Sequence, residues 1–224
     1  MPAGLQISPA MVLAMWAGGI AAGAALIAWW RIVGRGFIWL AAAVAGVLGA
    51  GAAAAGGGIP AVLGAVFAGL AILFATRPKL ASLLLAASAG VLVSSAALAG
   101  DPLLAISGAV ALGAVTDEML LGHWYLVDPR LPRWALRTLA VVALAAVVLD
   151  GVLLLVRGAW PVGGSVIAWA FVVAAIATVI LMAAVLGALR QPSYTGVMAS
   201  TGLSYLAMIT SLAATVLGRS LLPV

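Results

Sequence analysis

Cysteine and asparagine are absent from this chain of 224 residues, glutamine occurs only at Gln6 and Gln191, and there is one histidine, one lysine and one glutamate. Without cysteine, disulfides, thiolate chemistry and Cys-ligated zinc or iron–sulfur centres are excluded. A single histidine, His123, excludes a bis-histidine haem within the chain. Charged residues of any kind make up only 7% of the sequence, against 67% hydrophobic residues and a mean hydropathy of +1.32. That is far from the mixture of a soluble globular domain, and it points to a polytopic membrane protein. The named catalytic motifs are missing as well. There is no Walker loop, no HExxH, no nucleophile elbow and no lysine in a late helix, since Lys79 is the only one. An enzyme is therefore not the expectation.

A hydrocarbon core of about 30 Å needs about 20 helical residues. The apolar runs divide into eight at 8–31, 36–55, 59–76, 80–99, 102–124, 133–156, 163–189 and 193–219. The breaks carry the chemistry of helix ends: Arg31 to Arg35, Gly56 to Pro60, Arg77-Pro-Lys79, Gly100-Asp-Pro102, Asp128 to Arg133, Arg157 to Pro161, and Arg190-Gln-Pro192. The net charge of +5 comes from basic residues placed singly or in pairs at these ends, a topology signal rather than a nucleic-acid patch. Alternation puts Arg31, Arg35, Arg77, Lys79, Arg130, Arg133, Arg137 and Arg190 on one side and Arg157 and Arg219 on the other. Because cytoplasmic loops carry the excess of Lys and Arg, the expected fold is an all-α helical bundle of eight spans in the cytoplasmic (plasma) membrane, N-out and C-out. The first span lacks the basic n-region of a signal peptide and is expected to be retained. The second and third spans, joined by Gly56-Gly-Gly-Ile-Pro60, are the pair that could instead be re-entrant. Trp29, Trp30, Trp39, Trp124, Trp134 and Trp160 fall near the span ends, as an aromatic belt does.

The chain reads as one membrane domain, 1–224, with its polarity unevenly spread. Residues 1–100 contain no Asp, Glu or His and read as scaffold, with small residues at helix-packing spacing such as Gly19-xxx-Gly23. Residues 101–224 carry the chemistry. The run from Thr116 to Arg133 gathers six of the sixteen ionisable residues into eighteen positions. Intramembrane charges cost roughly 2.5–3.5 kcal/mol each on insertion scales, so they mark functional positions. Asp117 and Glu118 are adjacent, and two carboxylates in low dielectric do not both ionise comfortably, which is what a proton-coupled site needs. Helical periodicity places Glu118, Leu121, Gly122 and Tyr125 on one face and Thr116, Met119 and His123 on a neighbouring one. The competing structural role for either acid is an ion pair with Arg130, Arg133, Arg137 or Arg190. Asp150 lies in the sixth span, roughly 10 Å in from the opposite side at 1.5 Å per residue.

In the last span Tyr194, Met198, Thr201, Tyr205 and Met208 form one stripe that could line a cavity, and Gly196, Ser200 and Ser204 form a small-residue stripe suited to packing. The leading functional expectation is a small-solute or cation transporter, or proton-coupled permease, using Asp117, Glu118 and Asp150 with Tyr205 and Thr201. The alternative is a quinone-interacting subunit of an electron-transfer complex, with an interfacial site built from His123, Trp124, Tyr125 and Tyr194 beside Glu118. A third is a non-catalytic anchor or assembly subunit. No cofactor is required on the first reading, a quinone on the second. No metal is assigned, because Asp117, Glu118 and His123 have no diagnostic spacing. The expected partners are the bilayer and either other membrane subunits or further copies of the chain, with no nucleic acid.

Overall fold

A computed structural model describes residues 7–160 and 165–222, and among these the secondary structure is entirely helical. Seven helical stretches are long and apolar enough to cross a membrane. They are α1 (Pro9–Trp30), a bent stretch Arg35–Leu73 made of two arms, α2 (Arg35–Ala52) and α3 (Gly58–Leu73), then α4 (Pro78–Leu98), α5 (Pro102–Val127), α6 (Arg133–Val156), α7 (Val166–Ala188) and α8 (Tyr194–Ser220). The protein thus has the composition and architecture of a multi-pass membrane protein.

The second and third expected spans correspond to the two arms of one bent stretch. Residues 35–73 form one stretch of 39 residues, with the π turn Ala53–Gly57 between its arms. Gly56 at φ 100° and Gly58 at φ 67° occupy the left-handed region that only glycine enters cheaply, and there the chain folds back. Gly46 then meets Ala68, and Gly49 meets Ala65, so the arms lie antiparallel with small residues between them. The arms have 18 and 16 residues, about 27 and 24 Å of helix at 1.5 Å per residue, each a little short of the hydrocarbon thickness.

The other breaks fall where the sequence puts them. Pro9, Pro78 and Pro102 begin helices, where a missing N–H costs nothing. Ser8 accepts from the Met11 N–H at 3.1 Å, and Asp101 from the Leu103 and Leu104 N–H groups at 2.8 and 3.2 Å. The expected boundary at Pro161 and the start of the seventh span at 163 lie outside the described residues.

Contacts define two ends of the bundle. At one end Gly100 packs on Met11, the Ser95 hydroxyl donates to the Gly57 carbonyl at 2.7 Å, and Arg157 forms an ion pair with Asp101. At the other, Trp30 and Trp134 meet edge to face at 4.9 Å, Trp124 lies on Gly36, and Arg133 reaches the Gln191 carbonyl at 2.8 Å. These are called the Arg157 end and the Arg133 end.

At the centre, α1 and α5 run parallel and are the most buried helices, while α7 is the most exposed. Glycine sets their approach. A Cβ on Gly19 would stand 1.9 Å from the Ala109 carbonyl oxygen and 2.8 Å from the Gly113 Cα, so α1 and α5 touch backbone to backbone. In a bilayer there is no hydrophobic drive between helices, so this van der Waals fit supplies the association. One turn further on, the same stripe ends differently. Gly23 faces Asp117, whose Oδ2 occupies the position a Gly23 Cβ would need, at 1.9 Å.

Candidate functional site

Asp117 and Glu118 lie well inside α5, ten and nine residues before its end at Val127, roughly 15 Å along the axis. Both are completely buried. Being consecutive on a helix, they diverge by about 100° and enter different interfaces. Asp117 points at Gly23 on α1, and Glu118 points at α8, where the Ser204 hydroxyl donates to Oε2 in a very short contact. Ser204 and Ser200 on α8 are fully buried, so the small-residue stripe does pack inward and also brings Glu118 its donor. Next to it, Thr201 is buried against Gly122, its hydroxyl donating to the Val197 carbonyl at 2.9 Å.

The two carboxyl groups are poorly satisfied. Neither Asp117 oxygen has a hydrogen-bond partner among the described residues, and neither does Glu118 Oε1. Nor do the basic residues come to them. Arg133 instead bonds Tyr125 Oη at 3.3 Å and the Gln191 and Ser193 carbonyls at 2.8 and 3.1 Å, and Arg137 bonds the Leu189 carbonyl at 3.0 Å. These arginines cap the turn between α7 and α8, and no ion pair among the described residues holds Asp117 or Glu118. A buried carboxyl without a donor is costly, because desolvation is not offset.

Asp117 lines a cavity of about 240 Å³ bounded by α1, α4, α5 and α6. Leu26, Val93, Ile106, Val110 and Val142 supply much of its wall, and the only polar side chains in the lining are Asp117 and Thr138. Leu26, Ile106, Val110 and Val142 are about half exposed on the outer surface, so the cavity opens sideways between helices rather than at a bundle end. Between the same two helices, α1 and α5, the Trp16 indole N–H donates to the Thr116 hydroxyl at 2.9 Å.

Asp150 belongs to a separate polar centre near the Arg157 end. It pairs bidentately with Arg219, at 2.7 Å from Oδ1 and 3.1 Å from Oδ2, and also accepts from the Ser107 hydroxyl at 2.6 Å. Arg219 donates further to the Leu104 carbonyl at 2.5 Å and the Thr215 carbonyl at 3.3 Å. The pair joins α6, α8 and α5 in the interior, with Arg219 only 2% exposed. Sequence reasoning placed Arg157 and Arg219 together at span ends on one side; Arg219 instead turns inward to Asp150, while Arg157 pairs with Asp101. The signal available was spacing: Arg219 follows Ser204, Ser211 and Thr215 on the small, polar stripe of α8. From Ser107 to Glu118 is eleven residues, about 16 Å along α5, so Asp150 and Glu118 do not share one site. Between them, one face of α8 carries the buried polar side chains Ser204, Ser211, Thr215 and Arg219.

The remaining candidates disperse. Tyr194, Met198 and Tyr205 are exposed on the outer surface of α8, so that stripe does not line a cavity as expected. Tyr205 Oη lies 3.4 Å from His123 Nδ1, also exposed, and Tyr194 donates to the Leu126 carbonyl at 3.3 Å. Trp124 turns onto Phe37 at 6.2 Å and Tyr125 turns inward to Arg133. His123, Trp124, Tyr125 and Tyr194 therefore point in different directions, and the cavity beside Asp117 is lined by none of them. Among the described residues no group of three His, Asp or Glu side chains is placed to hold a metal ion. Comparison with protein families, curated proteins and solved structures finds nothing that matches this chain.

Proposed function

We propose that the protein moves a proton or a small cation across the membrane, with Asp117 and Glu118 as the inner stations. The observation that carries this reading is the pair of completely buried carboxyl groups, three of whose four oxygens have no donor, in the most buried helix of the bundle. A carboxyl kept only to hold helices together would have its lone pairs filled, as those of Asp150 are. One left open can take and release a proton or cation. The buried polar face of α8 supports the reading, since it leads from Glu118 to Asp150 and Arg219 near the Arg157 end. There the ion pair closes the route and must open for passage.

The two arms of the bent stretch are read as two passages, giving eight crossings of the cytoplasmic membrane. Eight basic residues then lie at the Arg133 end and two at the Arg157 end, which makes the Arg133 end cytoplasmic and both termini external. Purified protein in liposomes loaded with a pH-sensitive dye tests the proposal. Under an imposed proton, Na⁺ or K⁺ gradient, wild type is expected to conduct, and Glu118→Gln and Asp117→Asn to lose at least tenfold of that flux. If wild type passes none of the three, or the two variants flux like wild type, the proposal is wrong.

A further inference from the structure

The cavity beside Asp117 combines three properties that together specify an occupant. Its wall is hydrocarbon, with Thr138 as the only polar side chain besides Asp117. Its acid is completely buried, has no donor on either oxygen, and borders the cavity beside Gly23, so a side-chain rotation away from Gly23 turns the carboxyl toward an occupant. Its mouth lies between Leu26, Ile106, Val110 and Val142, side chains of a membrane-spanning surface, so an occupant arrives from the lipid and not from water. A hard metal ion is a poor match. Ca²⁺ needs six to eight oxygen ligands and Mg²⁺ keeps its waters, whereas this lining offers one carboxyl and one hydroxyl. A quaternary ammonium is a poor match too, because such cations are held by aromatic faces and no aromatic residue lines the cavity. A primary ammonium carries N–H donors that can reach both open oxygens of Asp117, and an apolar body attached to it would lie along the hydrocarbon wall. The volume of about 240 Å³ sits below the range of roughly 300–1,000 Å³ typical of drug-sized ligands, and it equals about eight waters at about 30 Å³ each. That sets the apolar body at the size of one ring or a short chain.

We infer that this cavity binds a small amphipathic primary amine in its ammonium form, entering from the bilayer, with its head on Asp117 and its body against Leu26, Val110 and Val142. Gly23 is a positioning residue in this arrangement, since the carboxylate occupies the space that a side chain there would fill. The inference rests on reading Asp117 as a working group of the proposed function and adds a ligand class for its cavity.

The test uses full-length protein in lipid nanodiscs, with radiolabelled 2-phenylethylamine as the probe and 2-phenylethanol as its uncharged counterpart of the same shape. Saturable binding of the amine is expected, at least tenfold tighter than the alcohol and weakened at least tenfold by Asp117→Asn. Ala22→Phe is a second variant. Ala22 lies in the cavity lining but is exposed on the outer surface, so the larger ring narrows the mouth without disturbing the packed interior, and it too should abolish binding. Equal binding of amine and alcohol, or amine binding that survives both substitutions, overturns the inference. Proteoliposome flux separates the two ideas. Proton or Na⁺ flux sensitive to Glu118→Gln with no amine binding refutes the amine site and leaves transport standing. Amine binding dependent on Asp117 with no flux of any ion or of the amine supports the site and refutes transport.

Discussion

Replacing Arg219 by methionine isolates the energetics of the interior at the Arg157 end. The guanidinium makes two bonds to Asp150 and one each to the Leu104 and Thr215 carbonyls, and the substitution leaves Asp150 buried with Ser107 as its only donor. Breaking a buried pair by removing one partner costs about 3–5 kcal/mol, because an uncompensated charge stays behind. Replacing both partners together, as Asp150→Leu with Arg219→Met, removes that charge and conserves volume, and such exchanges are neutral or stabilising by about 1–4 kcal/mol. Two controls bracket the effect. Ser107→Ala removes one hydroxyl donor from the ion-paired Asp150, and intramembrane side-chain hydrogen bonds average about 0.6 kcal/mol, at most about 1.7. Arg157→Met removes an ion pair to Asp101 whose side chains are 45% and 29% exposed, so solvent screening holds its worth to about 0–1 kcal/mol. The assay is reversible unfolding in mixed micelles, followed by circular dichroism against rising denaturing detergent. The expected order of stability is wild type and the double variant together, then Arg157→Met and Ser107→Ala, then Arg219→Met well below. The reasoning is refuted if Arg219→Met costs under about 1 kcal/mol, or if the double variant is no more stable than the single.

Two glycine comparisons follow from the same structure. In α1, Gly19→Ala forces its Cβ onto the α5 backbone and should cost about 1–3 kcal/mol or more in that unfolding assay. Gly23→Ala first meets the Asp117 side chain, whose carboxyl can rotate, so it should cost less stability while suppressing flux and amine binding; equal stability losses at the two positions would contradict this. In the bent stretch, Gly56→Ala has open space around it but a φ of 100°, and should lose about 1–2 kcal/mol from backbone strain alone. Gly69→Ala, also in open space but within α3, should gain up to about 1 kcal/mol from helix propensity, and opposite signs at these two sites are the check.

Much of this architecture was legible because lipid leaves few options. A backbone in hydrocarbon must satisfy its own hydrogen bonds, so apolar runs of about 20 residues are helices, and Pro, Gly and charge mark their ends. The same logic identified Asp117 and Glu118 as anomalies, and helical periodicity put Glu118 and Gly122 together, where α8 now meets them. What could not be read was the partner of each face. Gly19-xxx-Gly23 announced a close contact without saying that Gly113 would meet one glycine and Asp117 the other. Arg219 looked like a terminal charge, because nothing local distinguishes an arginine that leaves the bundle from one that turns into it. The aromatic stripe of α8 failed for a related reason. Tyr194 and Tyr205 are amphipathic, and such rings sit on an outer surface as readily as in a cavity. The Gly56–Gly58 bend was visible as a break, but how tightly the two arms fold back on each other depends on backbone geometry that residue types do not encode.

The parallel meeting of Gly19 with Gly113 bears on how the chain is made. About 90 residues separate the two glycines, and at synthesis rates of roughly 5–20 residues per second the first helix waits on the order of 5 to 20 seconds for its central partner. During that interval the Gly19 face of α1 is without its α5 partner. The centre of the bundle is therefore completed only when the fifth helix is made, although its first-made helix is already central. A nascent chain stalled before residue 113 should leave α1 open to cross-linking from within the bilayer, and one stalled after the fifth helix has emerged should close it.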